Sequence, residues 1–160
     1  MTGGPFVHDA YAIPYAQLQL RRGSDDRRSS AEMRVTAGAA LGSPSPQQLF
    51  LLGGRHTLPG YAYRAFAGDV FALANFEAGR DLAYPFVRAR ITAAAGWTGT
   101  NEAALPADWG AAETRSVRSS AGAGLGFLYD LLRFDVVRGL SRGGEWQLIV
   151  SLEPRIWPWL

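Results

Sequence analysis

The sequence predicts an all-β protein whose strands form an antiparallel, up-and-down sheet. Three observations predict this fold class. Apolar and polar residues alternate over long stretches, which is the side-chain period of a β-strand. The 160 residues include 19 glycines and nine prolines, which favour frequent turns. Aromatic residues make up 12% of the chain, and strands are enriched in aromatic side chains.

The alternation is clearest in the stretches 31–42 and 86–97. In the first, Met33 and Val35 share one face while Arg34 shares the other with small and polar residues. The same pattern, followed along the chain, predicts seven strands and a weaker eighth at 6–13. The seven strands are expected at 15–22, 31–42, 70–79, 86–97, 117–127, 131–140 and 145–153.

The connections between these strands alternate in length within a single domain that spans residues 1–160. Short ones at 23–30, 80–85 and 129–130 are separated by two long segments, 43–69 and 98–116. In a meander, successive connections emerge at opposite ends of the sheet. Short turns at one end and long loops at the other are typical of outer-membrane β-barrels, although the short connection at 141–144 departs from the pattern.

Alternation does not say which face points outward. A soluble barrel would enclose its apolar face around a ligand, whereas a transmembrane barrel would turn that face to lipid. The polar face carries Arg, Gly and Ser but little Lys or Glu, which favours a wet lumen. Aromatic residues near the predicted strand ends favour the transmembrane barrel too, as an interfacial girdle: Tyr84, Phe86, Trp97, Phe127, Trp146 and Trp157.

Five charged residues within the predicted strands share the phase of the polar face. An Arg facing lipid near the bilayer midplane costs about 2–4 kcal/mol, so this phase is expected to be shielded from lipid. We therefore predict a network of charges inside the lumen, formed by Glu77, Arg88, Arg90, Arg133 and Asp135.

Composition excludes several functions. The chain has no Cys, so it has no disulfide and no thiol chemistry. Its basic residues are all Arg and do not cluster, so we expect no nucleic-acid partner. His8 and His56 lack metal-ligand spacing, and the GAGLGF motif from Gly122 has no helix after it to make a phosphate loop. We expect no enzyme activity, catalytic residue, metal or cofactor.

Two glycine-centred motifs lie in the segment 43–69, FLLGG at 50–54 and LPGY at 58–61. They resemble a long extracellular loop of the bacterial surface antigen family, roughly F-L-G-G-x-x-[ST]-[VIL]-R-G-[FY]. This superfamily includes outer-membrane assembly insertases and two-partner-secretion transporters. Three later stretches resemble strands of the family in the same order, over about residues 15–157 in all: Phe76-Glu77, LLRFDVVRGL at 131–140 and GGEWQLIVSLEP at 143–154.

The resemblance implies a bacterial outer-membrane barrel of roughly sixteen strands, with this chain as its C-terminal half. Its implied role is the assembly or translocation of outer-membrane or secreted proteins through a seam between the first and last strands. Segment 98–116 would be an extracellular loop. Segment 43–69 would fold into the lumen, with Tyr61 anchoring its tip and glycines allowing close approach to the wall. The implied loop motif comprises Gly53, Gly54, Leu58, Pro59, Gly60 and Tyr61.

Two departures from the family pattern stand out. Pro59 replaces the family's tip Arg, and Ala94 replaces the Asp that meets it, so both members of a buried charge pair are missing together. Candidates to replace that contact by pairing with Glu77 are Arg55, Arg64, Arg88 and Arg90.

The chain also shows no signal-peptide pattern, no apolar run of about 18 residues and about half the family's strands. We therefore expect a fragment, whose partners are outer-membrane lipid, unfolded cargo proteins, and either the remaining barrel strands or another copy. A second hypothesis stays open: a small self-contained barrel that binds an apolar ligand or serves as a membrane anchor.

Overall fold

A computed structural model describes residues 12–25, 28–42, 46–100, 110–111, 114 and 116–152. These residues form an all-β structure with a sheet of seven strands and a separate pair of short strands. The sheet strands are β1 (Tyr15–Gly23), β2 (Ser29–Ala39), β5 (Val70–Ala83), β6 (Val87–Gly99), β7 (Arg118–Phe127), β8 (Leu132–Gly139) and β9 (Trp146–Leu152). The short pair is β3 (Phe50–Leu52) with β4 (Phe66–Gly68).

The seven strands follow the order β1-β2-β5-β6-β7-β8-β9, and every neighbouring pair is antiparallel. The predicted all-β class and seven-stranded meander are therefore confirmed. Within the described residues the sheet is open, with β1 and β9 as its edges. No helix in these ranges is long and apolar enough to cross a membrane.

One face of the sheet, here called the bare face, carries large apolar side chains that nothing in the described structure covers. Ile91 is 57% exposed and Leu148 is 68% exposed, although both lie within strands. Arg22, Arg80 and Arg138 share the phase of this face, each in the last four residues of its strand. Exposed apolar residues on the bare face include Leu18, Leu20, Met33, Phe76, Ile91, Trp97, Leu125, Phe134, Val136, Leu148 and Val150.

The opposite face, here called the covered face, lies under the chain between β2 and β5. Residues 46–69, here called the packed segment, contain a single 3-10 turn at Pro46–Gln48 and the β3–β4 pair. Side chains of this segment bury Phe71, Leu73 and Ala94 on the sheet. The core of the described structure therefore lies between the packed segment and the covered face, which the sequence predicted to line a lumen.

Strand boundaries differ from the predictions by up to four residues at several ends; β2, predicted at 31–42, runs from Ser29 to Ala39. The connection predicted at 80–85 is wrong over residues 80–83, because β5 continues to Ala83 and turns only at Tyr84–Phe86. The segment 43–69 is not simply a loop, since it contains β3 and β4. Of the predicted strand 6–13, the structure describes only Ala12 and Ile13, and Ala12 forms an isolated bridge to Leu41. Most of segment 98–116 and Trp157 also lie outside them.

Candidate functional site

The packed segment is attached to the covered face first by apolar contacts. Leu52 and Leu58 are fully buried, and they join Phe66 in one cluster with residues of β5 and β6. The ring of Phe50 lies 4.3 Å from that of Phe71, measured between centroids. Burial of a Leu or Phe side chain contributes about 1.5–3 kcal/mol, so these contacts fix the body of the segment on the sheet.

Glycine is required at the tip of the packed segment. Gly60 has a φ of +83°, which lies in the left-handed region. A Cβ there would lie 2.8 Å from the carbonyl carbon of Arg138 and 2.9 Å from the Cα of Gly139. The tip therefore rests directly on the backbone of β8.

Tyr61 follows directly and is 1% exposed. Its hydroxyl donates a hydrogen bond of 2.9 Å to the carbonyl of Ser119 and accepts one of 3.0 Å from the amide of Ser141. The ring meets that of Phe66 edge-on at 5.5 Å. A single buried side chain thus joins the tip to the start of β7 and to the turn between β8 and β9.

Three further hydrogen bonds connect the tip to the start of β9. The Gly60 amide donates to Oε1 of Gln147 at 2.8 Å, and the Gly60 carbonyl accepts from the Glu145 amide at 2.8 Å. Nε2 of Gln147 donates to the Tyr61 carbonyl at 3.4 Å. Gln147 was not identified from the sequence as a partner of the tip.

The remaining motif residues close the packed segment on itself. Thr57 accepts a hydrogen bond from the amide of Gly53 and donates one to its carbonyl, both at 3.0 Å. Gly54 pairs with Leu58 in an isolated bridge, and its amide donates to the Tyr61 carbonyl at 3.1 Å. Pro59 is partly buried and lines a cavity beneath the tip. Residues 53–61 therefore form a compact unit that presents Gly60 to the sheet.

A charged cluster, here called the Arg90 cluster, occupies the covered face nearer the short turns. The Arg90 side chain is 2% exposed. Its guanidinium lies 3.0 Å from Oδ1 of Asp130, 3.1 Å from Oδ1 of Asp135 and 3.7 Å from Oε1 of Glu77. Arg133 joins through Oδ2 of Asp130 at 2.8 Å. Four of the five charges predicted for the lumen meet here.

Arg88 lies apart from this cluster. Its guanidinium pairs with Asp81 at 2.8 Å and donates a hydrogen bond to Ser30 of β2. Two other arginines proposed as partners of Glu77 make different contacts: Arg55 donates to the His56 ring, and Arg64 stacks over Tyr63. Among the described residues, Arg90 therefore makes the contact with Glu77.

Asp130, the central acid of the Arg90 cluster, was missed from the sequence because it lies in a connection. It comes from a turn in which three consecutive residues have positive φ, from 53° to 68°. That turn is fixed by hydrogen bonds from its amides to Phe86 and Pro85 in the neighbouring turn. The glycines of β7 are a sequence feature that marks these contacts. A Cβ at Gly124 would overlap the Asp135 carboxylate, and a Cβ at Gly126 would overlap the Asp130 carboxylate.

A cavity of about 820 Å³ lies on the covered face between the packed segment and the Arg90 cluster. In the part of the chain that the structure describes, no three His, Asp or Glu side chains gather in a way that could hold a metal ion. The ionic groups of the cluster are paired with one another, which suits a scaffold for a wet interior. The cavity is lined by, among others, His56, Pro59, Arg88, Arg90, Asp135 and Ser151.

The chain matches no protein-family profile and no curated protein. The geometry of its two faces and the resemblance of its motifs are the features of the chain that bear on its function.

Proposed function

We propose that this chain forms part of the wall of an outer-membrane β-barrel, with the bare face against lipid and the covered face toward the lumen. The single observation that carries the proposal is the inverted distribution of residues. Large apolar side chains such as Ile91 and Leu148 are exposed, whereas the guanidinium of Arg90 is buried. Such an arrangement is costly in water and suits hydrocarbon.

Exposed aromatic residues at both ends of the strands support the proposal. Tyr84, Phe86 and Tyr129 are exposed at the short turns, while Trp97 and Trp146 are exposed at the opposite end. The steps from Phe86 to Trp97 cover about 36 Å along the strand at about 3.3 Å per residue. A strand tilted by about 45° would span roughly 25 Å, the height of the apolar band of an outer-membrane barrel.

The direction of the described strands bears on what would close the proposed barrel. Because seven strands alternate in direction, β1 and β9 run the same way. If these seven strands are the chain's whole share of the wall, a second copy rotated about the barrel axis places its β9 parallel to β1, which an up-and-down barrel does not allow. For the seven described strands, the closing wall needs an odd number of further antiparallel strands, which also satisfies the edges in lipid. Roughly nine would complete the barrel size that the resemblance implies.

We further propose that the complete barrel assists the assembly or translocation of outer-membrane or secreted proteins. The support is the resemblance of the packed segment to the family's lumen loop, together with its contacts on the covered face. The second hypothesis, an apolar ligand inside a closed barrel, is less well supported. The cavity is lined by charged residues such as Arg90 and Asp135, and an apolar ligand would not compensate their desolvation.

Adjacent residues on β6 provide a test, since the chain contains no Cys of its own. A nitroxide label on Ile91→Cys lies on the bare face, and a label on Thr92→Cys lies on the covered face. In phospholipid vesicles, the label at position 91 should be relaxed more by oxygen, which concentrates in lipid, than by a water-soluble nickel chelate. The label at position 92 should show the reverse preference. Preferential relaxation of the position 91 label by the nickel chelate would refute the lipid-facing wall.

The same vesicles test the proposed role. If the barrel is an assembly factor, vesicles that contain the chain with its closing strands should fold an unfolded outer-membrane protein faster than empty vesicles. The rate is measured from the mobility shift of the folded substrate on a gel run without heating. An unchanged rate in vesicles whose label at position 91 lies in lipid would refute the role and leave the barrel wall intact.

A further inference from the structure

The tip of the packed segment spans the junction between β8 and β9. On one side Gly60 is packed against the backbone of Gly139 at the end of β8. On the other side the tip is hydrogen-bonded to Glu145 and Gln147 at the start of β9. Movement of this end of β9 away from β8 must therefore break the contacts of the tip or pull the packed segment with it.

β9 is also the less supported side of that junction. It has β8 as its one neighbour within the described sheet, through register pairs from Leu132↔Leu152 to Arg138↔Trp146. Bonds to the tip therefore form a large share of what holds its first residues. Strands held on one side by few contacts open locally at lower free energy than central strands.

We propose that the packed segment is a latch on β9 and that Gln147 is the residue that positions it. A Gln side chain offers an acceptor oxygen and an amino group with two donors. Both are used here, since Oε1 accepts from the Gly60 amide and Nε2 donates to the Tyr61 carbonyl. The inference rests on the proposed function in that release of β9 would open the barrel seam.

The latch leaves the free edge of β9 available for pairing. Gln147 is opposite Val137, which is buried on the covered face, so its side chain reaches the tip from that face. The backbone groups of β9 that point away from β8 are not used by the tip. A closing strand can therefore pair with β9 while the latch is engaged, and the latch controls how readily the start of β9 leaves β8.

Hydrogen exchange of the full chain in detergent micelles tests the latch through Gln147→Ala, with Ser151→Ala as the matched control. Ser151 is partly buried at a covered-face position of β9 and makes no contact with the tip among those described. Loss of the two Gln147 bonds should speed amide exchange at residues 145–152 about tenfold, the effect of a bond or two of ordinary strength. Residues 57–63 should exchange faster as well, because coupling is reciprocal. Exchange in β5 and β6 should not change.

A second variant, Gln147→Glu, keeps the acceptor for Gly60 and loses the donor to Tyr61. Because a carboxylate oxygen then faces the Tyr61 carbonyl, exchange at residues 145–152 should be faster than in the parent. The latch is refuted if faster exchange is confined to the packed segment, if it spreads over all strands, or if Ser151→Ala has the same effect. These outcomes do not depend on lipid or cargo, so a failed latch is distinguished from a failed barrel wall by the nitroxide pair.

Discussion

The covered face is held at two places by different interactions. The tip of the packed segment is attached by neutral hydrogen bonds and by close backbone packing at Gly60. Nearer the short turns, the Arg90 cluster joins β5, β6, β8 and the β7–β8 turn through ion pairs around one buried guanidinium. The first contact depends on shape and the second on charge.

This difference shows which end of the covered face can move. Separation of the Arg90 cluster would leave a buried charge without its partner, which is far costlier than the loss of a neutral hydrogen bond. Release of the tip exposes amide and carbonyl groups that water can satisfy. The Arg90 cluster therefore fixes its end of the covered face, whereas the tip can be released from the other end.

The largest expected effect comes from Arg90→Leu. Loss of this cation leaves Asp135 without its close partner and Asp130 with Arg133 alone, and the change should cost about 3–5 kcal/mol. Arg34→Leu is the matched control, because Arg34 is exposed and pairs with Glu32. That change should cost about 1 kcal/mol or less. The measurement is urea-induced unfolding in detergent micelles, followed by tryptophan fluorescence.

Equal losses of stability for Arg90→Leu and Arg34→Leu would remove the distinction between the Arg90 cluster and an ordinary surface ion pair. The claim that the Arg90 cluster fixes its end of the covered face would then have no energetic basis.

Gly60→Ala should have the next largest effect. The new Cβ would meet the β8 backbone in a residue whose φ is already +83°, and the two penalties should together cost about 2–4 kcal/mol. Gly143→Ala separates the backbone strain from the steric clash, because Gly143 has a φ of +79° with nothing within 4 Å of an added Cβ. The control should lose about 1 kcal/mol in the same urea experiment. Similar losses would show that the tip does not rest closely on β8.

The sequence was sufficient for the strands and their faces because alternation is a local property. Met33, Ile91, Leu125 and Leu148 are exposed on one face, as their phase predicts, and Arg90 is buried on the other. The end of β5 was missed for a physical reason. Residues 80–83 resemble a turn in composition. However, the Asp81 carboxylate pairs with Arg88 on β6, and the Asp81 amide donates a hydrogen bond to the Arg28 carbonyl.

The partners within the site could not be predicted, because they are far apart in the chain. Gly60 and Gln147 are 87 residues apart, and no local pattern places one above the other. Asp130 was hidden by a turn whose residues carry no glycine to mark their positive φ. The motif resemblance singled out Gly60 and Tyr61, whereas the residues that receive them become visible only in the folded sheet.

The smallest effect, and the one most specific to the tip, is expected from Tyr61→Phe. The Ser119 carbonyl would keep its hydrogen bond from the Leu140 amide at 2.8 Å, whereas the Ser141 amide would lose the hydroxyl. The loss should therefore be about 1–2 kcal/mol, with the ring still in place. Tyr63→Phe, at an exposed position in the same segment, should be neutral. If both variants unfold at the parent's urea concentration, the hydroxyl does not hold the tip, and the attachment must come from Gly60 and Gln147 alone.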